Sequence, residues 1–376
     1  MSKTLLCLLP FLFSFTSYPG APLEGLLINL DHTIDKKEEY LKSKNERIAN
    51  IKEQLVQGSD RNSLLVRYKI LDQLFEEYKT FHYDSAFNYG RELLQTAYLL
   101  KEDSIINAAK VKMGFTLLSA GMFKEALDTL NSIDVSSLNT IFKVEYYATL
   151  GRTYYDLADY SNDRYFSQRY DEKGNECIQK ALSFSLPNSI KYLLLQGLAY
   201  MRIRDTAKAI TTFETVLKQP GLSRQDSAIA CSSLSYMYRL VNDPIKAKEH
   251  LAKAAINDII SCTRETVAIR DLAEVLYHEG DVNRSYKYVK VALEDAYFYG
   301  ANYRKMQITN VLPIIEGTQL EIVEGQRRDL YYYAIIVTIL AVFIIVFSGI
   351  IFRQYKKLHI AKHELIQSHK YLEQTN

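Results

Sequence analysis

The sequence has no tryptophan, only seven prolines and fifteen glycines among 376 residues, and no valine-rich alternating runs. So few chain breakers, with no period-two apolar pattern, exclude a sandwich or barrel and leave a helical chain. Cysteine is scarce as well. Of four, Cys7 lies in an apolar N-terminal run without a lipoprotein-type setting, so no lipid anchor is expected. Cys177, Cys231 and Cys262 are odd in number and lack CxxC spacing. They are expected at small core positions, although an oxidising compartment would permit one bridge. An excess of one charge is also missing. Setting aside Lys3 and the five basic and two acidic residues after Phe352 leaves 40 basic and 42 acidic side chains, which is no footprint for nucleic acid. A Walker loop, GxSxG, HExxH and clustered Cys/His ligands are all absent. Neither an enzyme nor a cofactor is therefore expected.

One long apolar run is present. Tyr331 to Phe352 carries no charge over 22 residues, and as a helix it would cover about 33 Å, enough for a bilayer core of about 30 Å. Arg327 and Arg328 precede it, whereas Arg353, Lys356, Lys357 and Lys362 follow. The richer side normally stays in the cytoplasm. Lys3, the apolar stretch Thr4 to Phe15 and the small, turn-forming residues Ser17 to Pro22 read as a secretory signal over 1–21. The expected location is the inner membrane, single-pass, with residues 61–322 periplasmic, 331–352 spanning and 353–376 cytoplasmic.

The helices repeat. A small residue, an aromatic or aliphatic one three later and a small one, usually Ala, twelve later recur at Gly114/Leu117/Ala126, Gly197/Tyr200/Ala209, Ser235/Tyr238/Ala247 and Ala273/Leu276/Ser285. Gly151 and Tyr154 begin another unit, which resumes after an insertion at Ile178 and Ala181, and a weaker unit surrounds Leu74 and Ala86. Periods of 37 to 46 residues mean an array of helix pairs. Small residues let paired backbones approach, and each pair buries its apolar face against the next. The insertion Asp159 to Lys173, polar and aromatic, is expected as a loop or a helix extension projecting from the array.

Before the array, Leu27, Ile34, Leu41, Ile48 and Leu55 recur every seven residues. An amphipathic helix over 24–60 follows, either pairing in a dimeric coiled coil or packing on the first repeat, since Lys37 and Lys44 spoil the second seam. After the apolar run, Leu358, Leu365 and Leu372 share heptad spacing and suggest the start of a cytoplasmic coiled coil. His359 and His363 stand one turn apart there, but with no third ligand they read as a solvated face. His363-Glu364-Leu365 begins like the phosphoacceptor box of sensor histidine kinases but lacks the following Arg/Lys and Pro.

Aligning Gly151, Gly197, Ser235 and Ala273 places Glu145, Arg152, Tyr155, Arg202, Tyr236, Arg239, Arg270, Glu274 and Tyr277 along an inner groove. Guanidinium groups pair with carboxylates or sugar hydroxyls, and tyrosine faces stack on peptides or glycans. The expected partner is accordingly a protein, peptide or glycan held in that groove. A homodimer is compatible with the heptads.

Residues Leu193 to Pro220 resemble the tetratricopeptide repeat (TPR), which implies an all-α, TPR-like α-solenoid. The segments LLINLDHTIDKKEEYLKSKNERIANIK, LFEEYKTFHYDSAFNYGRELLQTA and LAEVLYHEGDVNRSYKYVKVALEDAYFYGANYRKMQITNVLPIIE are similar to a family of Bacteroidetes-type membrane regulators with periplasmic TPR sensors, of the starch-utilisation type. That resemblance implies a glycan signal and a transcriptional output, with nucleic acid bound only through a C-terminal module. The chain stops at Glu373-Gln374-Thr375-Asn376 within a heptad, so the output is expected beyond these residues. The expected function is sensing across the inner membrane. An anchored scaffold for envelope proteins and a shortened histidine kinase using His363 are the alternatives.

Overall fold

The structure, a computed structural model, describes residues 21–57, 64–300, 302–309 and 312–375, and no strand occurs among them. The expected signal peptide lies outside the described residues apart from Ala21. The chain divides into two units, a helical array ending at Pro313 and a second unit beginning at Ile314.

Two helices open the array, α1 (Ala21–Asp35) and α2 (Lys37–Gln57). Antiparallel pairs follow: α3 (Leu64–Tyr78) with α4 (Tyr83–Leu100), α5 (Asp103–Ser119) with α6 (Phe123–Asn131), and α7 (Thr140–Ser161) with α8 (Arg164–Phe184). Then come α9 (Ile190–Arg202) with α10 (Thr206–Leu217), α11 (Arg224–Leu240) with α12 (Pro244–Ile260), α13 (Val267–His278) with α14 (Val282–Tyr299), and the short α15 (Asn302–Thr309). The turns inside the last three pairs share one chemistry. Arg204, Asn242 and Gly280, all with positive φ, each precede an aspartate, and Asp205, Asp243 and Asp281 cap the next helix by accepting from the backbone N–H of Lys208, Lys246 and Arg284. Such a cap stabilises a helix by about 1 kcal/mol.

The expected anchors sit where paired helices cross. A Cβ on Gly114 would lie 2.6 Å from Leu130, and one on Gly197 would lie 2.7 Å from the Phe213 ring. Ser235 and Ala273 hold the equivalent places, fully buried, and the Ser285 hydroxyl donates to the Ala273 carbonyl at 2.7 Å. The insertion forms a helix extension: α7 runs on to Ser161, and α8 starts at Arg164 under the Asp163 cap. Tyr160, Tyr165 and Phe166 are exposed near its tip.

The array closes on itself. Arg284 of α14 donates to Glu24 at 3.0 Å and Asp31 at 3.3 Å, and Lys287 reaches Asp31 at 3.1 Å and Asp35 at 3.2 Å, while Leu27 and Leu30 of α1 are buried. On α2, Ile48 packs into one apolar cluster with Leu74, Tyr78, Phe81 and Cys262. The backbone N–H of Arg264 donates to the Thr80 carbonyl at 2.8 Å and the Tyr299 hydroxyl donates to the Lys79 carbonyl at 3.0 Å, which joins the first pair to the last. The heptad region is thus two helices, divided at Lys36, that bridge the ends of the array. The two lysines that interrupt its seam make the polar contacts: Lys44 pairs with Glu77 at 2.9 Å and Lys37 with Asp295 at 2.7 Å.

The second unit consists of α16 (Leu312–Thr375) from Ile314 onward; the helix runs 64 residues and is long and apolar enough to cross a membrane. Apolar side chains from Ile335 to Phe352 are exposed all round it, and the Thr338 hydroxyl donates to the Ala334 carbonyl at 2.7 Å. A helix apolar on every face, with its backbone groups satisfied internally, suits a lipid surrounding.

Cys177, Cys231 and Cys262 are free and buried, and burial pushes the Cys177 and Cys231 thiols up to about 11. One half-buried group titrates in a useful range. His250 on α12 stacks on Tyr238 with ring centroids 5.4 Å apart, and burial, helped by Lys253 and Lys246 and opposed by Glu214, pushes its pKa down to about 4. The unfolded chain therefore takes up this proton first as pH falls. The contribution of His250 is complete above its ordinary value near 6.5 and is lost between there and about 4, on the order of 2 kcal/mol. Melting curves between pH 7 and 5 should fall less steeply for His250→Leu than for the natural chain.

Candidate functional site

The inner helices bring charged groups into a cleft of about 560 Å³ between the α7–α8 extension, α9, α11 and α13. Arg202 is its centre. It closes the last turn of α9, donates to both Asp159 oxygens at 2.9 Å, and lies with its guanidinium carbon 4.3 Å from the Tyr155 ring centroid. A bidentate pair on an aromatic floor fixes the guanidinium plane. Asp171 follows on α8, with one oxygen 3.6 Å from Arg202. Burial raises its carboxyl above the usual range, with Asp159 adding repulsion and Arg202 opposing. Across the cleft, Arg239 lies over the Tyr236 ring at 5.6 Å and stands 3.5 Å from Asp271, which also takes Arg270 at 2.6 Å. Tyr236 and Arg239 are 40% and 41% exposed, the latter for its side chain, so both remain open to a ligand.

Of the groove residues expected from the repeat alignment, this cleft unites Arg202, Tyr236 and Arg239, with Arg270 behind Asp271. The others lie elsewhere. Glu145 pairs with Lys191 at 3.0 Å beside a separate apolar pocket of about 580 Å³ that includes Ile141, Phe184 and Leu186. Arg152 stands 3.7 Å from Asp156 and 3.9 Å from Glu265, which lies between α12 and α13. Glu274 is exposed on α13, and Tyr277 is half-buried with its ring edge-on to His278. Tyr155 corrects the expectation. It is 1% exposed and donates to Asn175 at 2.7 Å, so it supports Arg202 from the core and offers no face to a ligand.

The alignment missed Asp159, Asp171, Arg204 and Asp271. The two aspartates of the extension lie inside the insertion, where the repeat spacing fails, and Arg204 occupies a turn. Asp271 directly follows Arg270, so a check of neighbouring charges would have found it. The site has binding groups and no nucleophile–base pair, and among the described residues no three His, Cys, Asp or Glu side chains are grouped to hold a metal ion. His359 and His363 both lie on α16.

The model of the family described as "SusR N-terminal TPR domain" matches residues 34–310. Among solved structures, a thermophilic TPR protein of Thermus thermophilus is similar at 18% identity and a TM-score of 0.38, covering 61% of this chain and 100% of that one. A chain of the APC/C hetero-tetramer Cut9-Hcn1 is similar at 15% identity and a TM-score of 0.34, covering 68% of this chain and 53% of that one. No curated protein matches the chain significantly in sequence. The family match spans most of the closed array and reaches from α1 to the end of α15, and the chain belongs to the SusR N-terminal TPR domain family.

Proposed function

We propose that the chain is a membrane-anchored sensor whose helical array faces the periplasm and binds a peptide or glycan in the Arg202 cleft. Residues 331–352 cross the inner membrane, and 353–376 begin a cytoplasmic coiled coil leading to a transcriptional output. One observation carries this reading. A SusR-type array shares its chain with α16, a helix that continues without a break from Leu312, through the apolar segment, to Thr375. A continuous helix can pass rotation or displacement along its length, whereas a simple anchor has no need of rigid continuation past the lipid. The ligand shifts the equilibrium only by binding one arrangement of the array more tightly than the other.

Tyr236→Ala with Arg239→Ala tests the cleft, because both side chains are partly exposed and their loss leaves the core intact. With the double variant in place of the natural gene, induction of the dependent transcripts across a panel of polysaccharides and peptides should fall by about tenfold or more. Protein level and Tm should not change. Full induction in the double variant would remove the cleft from the pathway. The scaffold reading draws support from the exposed Tyr160, Tyr165 and Phe166. It requires Tyr165→Ala with Phe166→Ala to abolish partner assembly while the cleft variant assembles normally.

A further inference from the structure

A second pocket lies where the ends of the array meet, away from the Arg202 cleft. It encloses about 420 Å³, and its walls come from α2, from Phe81 between α3 and α4, from Arg264 before α13, and from the end of α14. Arg264 is its distinctive group. It is 6% exposed, its Nη1 is spent on Asp295, and its Nε–H donates to nothing. The Asp295 oxygen that takes Arg264 is shared with Lys37, which lies 2.7 Å from it. The guanidinium lies between aromatic rings, 5.4 Å from the centroid of Phe81 and 4.1 Å from that of Phe298. Phe81 is buried, but Phe298 is 44% exposed and covers the arginine from the solvent side.

The other wall groups limit what can enter. Leu41 and the two phenylalanines supply apolar surface, Asn45 and Lys37, the latter held by Asp295, add polar wall, and Glu38 and Glu294 are both exposed. A simple carboxylate would meet Arg264 but also two like charges, and a simple amine would meet a buried cation. A molecule with a carboxylate at one end, an ammonium group at the other and an apolar body between them satisfies both.

We propose that this pocket binds a zwitterionic amino acid or dipeptide with apolar side chains. Its carboxylate takes the unmet Arg264 donor after Phe298 swings aside, its ammonium group faces Glu38 and Glu294, and its body packs on Leu41 and Phe81. The walls come from both ends of the array and from the helix that bridges them. A ligand there touches all three, so its binding adds to the stability of the closed array by mass action.

The test uses the full chain in detergent micelles, with calorimetric titration and melting curves. L-phenylalanine and L-leucyl-L-phenylalanine are the probes, and phenylacetate and phenethylamine are the single-charge controls. The zwitterions should bind saturably and raise Tm, with the controls weaker by about tenfold or more. Glu38→Gln with Glu294→Gln alters exposed residues only and should weaken the zwitterions by about tenfold, and Leu41→Trp, which fills the pocket, should abolish binding. Three results each overturn the proposal: no saturable binding of either zwitterion up to about 10 mM by natural protein with a cooperative melt, phenylacetate binding as tightly as L-phenylalanine, or undiminished binding by a folded Leu41→Trp chain.

Discussion

Asp295→Ala should destabilise the array by about 3 to 5 kcal/mol, because it leaves two cations without their shared carboxylate in a buried place. Asp295 and Arg264 are each 6% exposed, and Lys37 joins them at 2.7 Å. Removing the anion restores none of the hydration that Arg264 gave up on folding, so the loss exceeds that of a surface pair several-fold. For a domain of this size, the fall in Tm should be roughly 6 to 20 °C. Hydrogen exchange locates the effect. Amides of α1, α2 and the turns at Thr80 and Arg264 should exchange faster, while α9 and α10 stay protected, because the pairs of such an array depend mainly on their neighbours. A uniform loss of protection along all pairs, or a change in Tm no larger than that of a surface variant, would refute the role given to Asp295. The double change Asp295→Leu with Arg264→Met should recover much of the loss, since an apolar pair of similar volume carries no desolvation cost.

The second large effect is expected at Gly174. A Cβ there would fall 2.5 Å from the Tyr155 ring and 3.2 Å from the carbonyl oxygen of Gly151, and one on Gly151 would fall 2.8 Å from Ile178 and 3.2 Å from the carbonyl oxygen of Gly174. The backbones of α7 and α8 are in near contact at two facing glycines. Gly174→Val should cost about 3 kcal/mol, the upper end of overpacking, because a fully buried aromatic ring cannot turn aside as a leucine end can. It should also displace the Tyr155 ring under Arg202, so that ligand binding in the cleft weakens together with stability. Gly25→Ala is the control: nothing lies within 4 Å of its Cβ, and α1 should gain up to about 1 kcal/mol in helix propensity. Chemical denaturation of the two variants beside the natural chain measures both. Equal stabilities would show that the crossing tolerates a side chain.

These two sites also mark where the sequence was legible. Gly151 stood out because it shares its spacing with Gly114 and Gly197, and the reason is physical, since every pair must let its helices approach. Gly174 did not. Gly114 meets Leu130 and Gly197 meets Phe213, each 16 positions on, whereas Gly151 meets Ile178, 27 positions on, and no periodic rule finds the partner across the longer helices. The apolar helix was evident because 22 uncharged residues in a row have few other uses, and the heptads of α1 and α2 were evident as an apolar face. Their partner was not. Closure pairs Thr80 with Arg264 and Lys79 with Tyr299, and contacts so distant in sequence leave no local pattern. Lys37 and Lys44 looked like defects in a seam for the same reason. Their partners, Asp295 and Glu77, belong to other helices. In the cleft, spacing identified which residues lie on inner helices but could not tell a core-facing tyrosine from an open one. Tyr155 and Tyr236 occupy similar inner-helix positions, and the Arg202 guanidinium covers the first.

An open array of helix pairs can gain or lose a unit at either end and still fold, so its length is free to drift. Here the turn at Thr80 must arrive opposite Arg264 after a fixed sum of small rotations between pairs. One pair more or fewer would carry the two ends past each other, leaving α1 and α2 nothing to bridge. The number of pairs is therefore set by a closure condition, and a twist introduced at any one crossing has to be made up by the remaining crossings of the circuit.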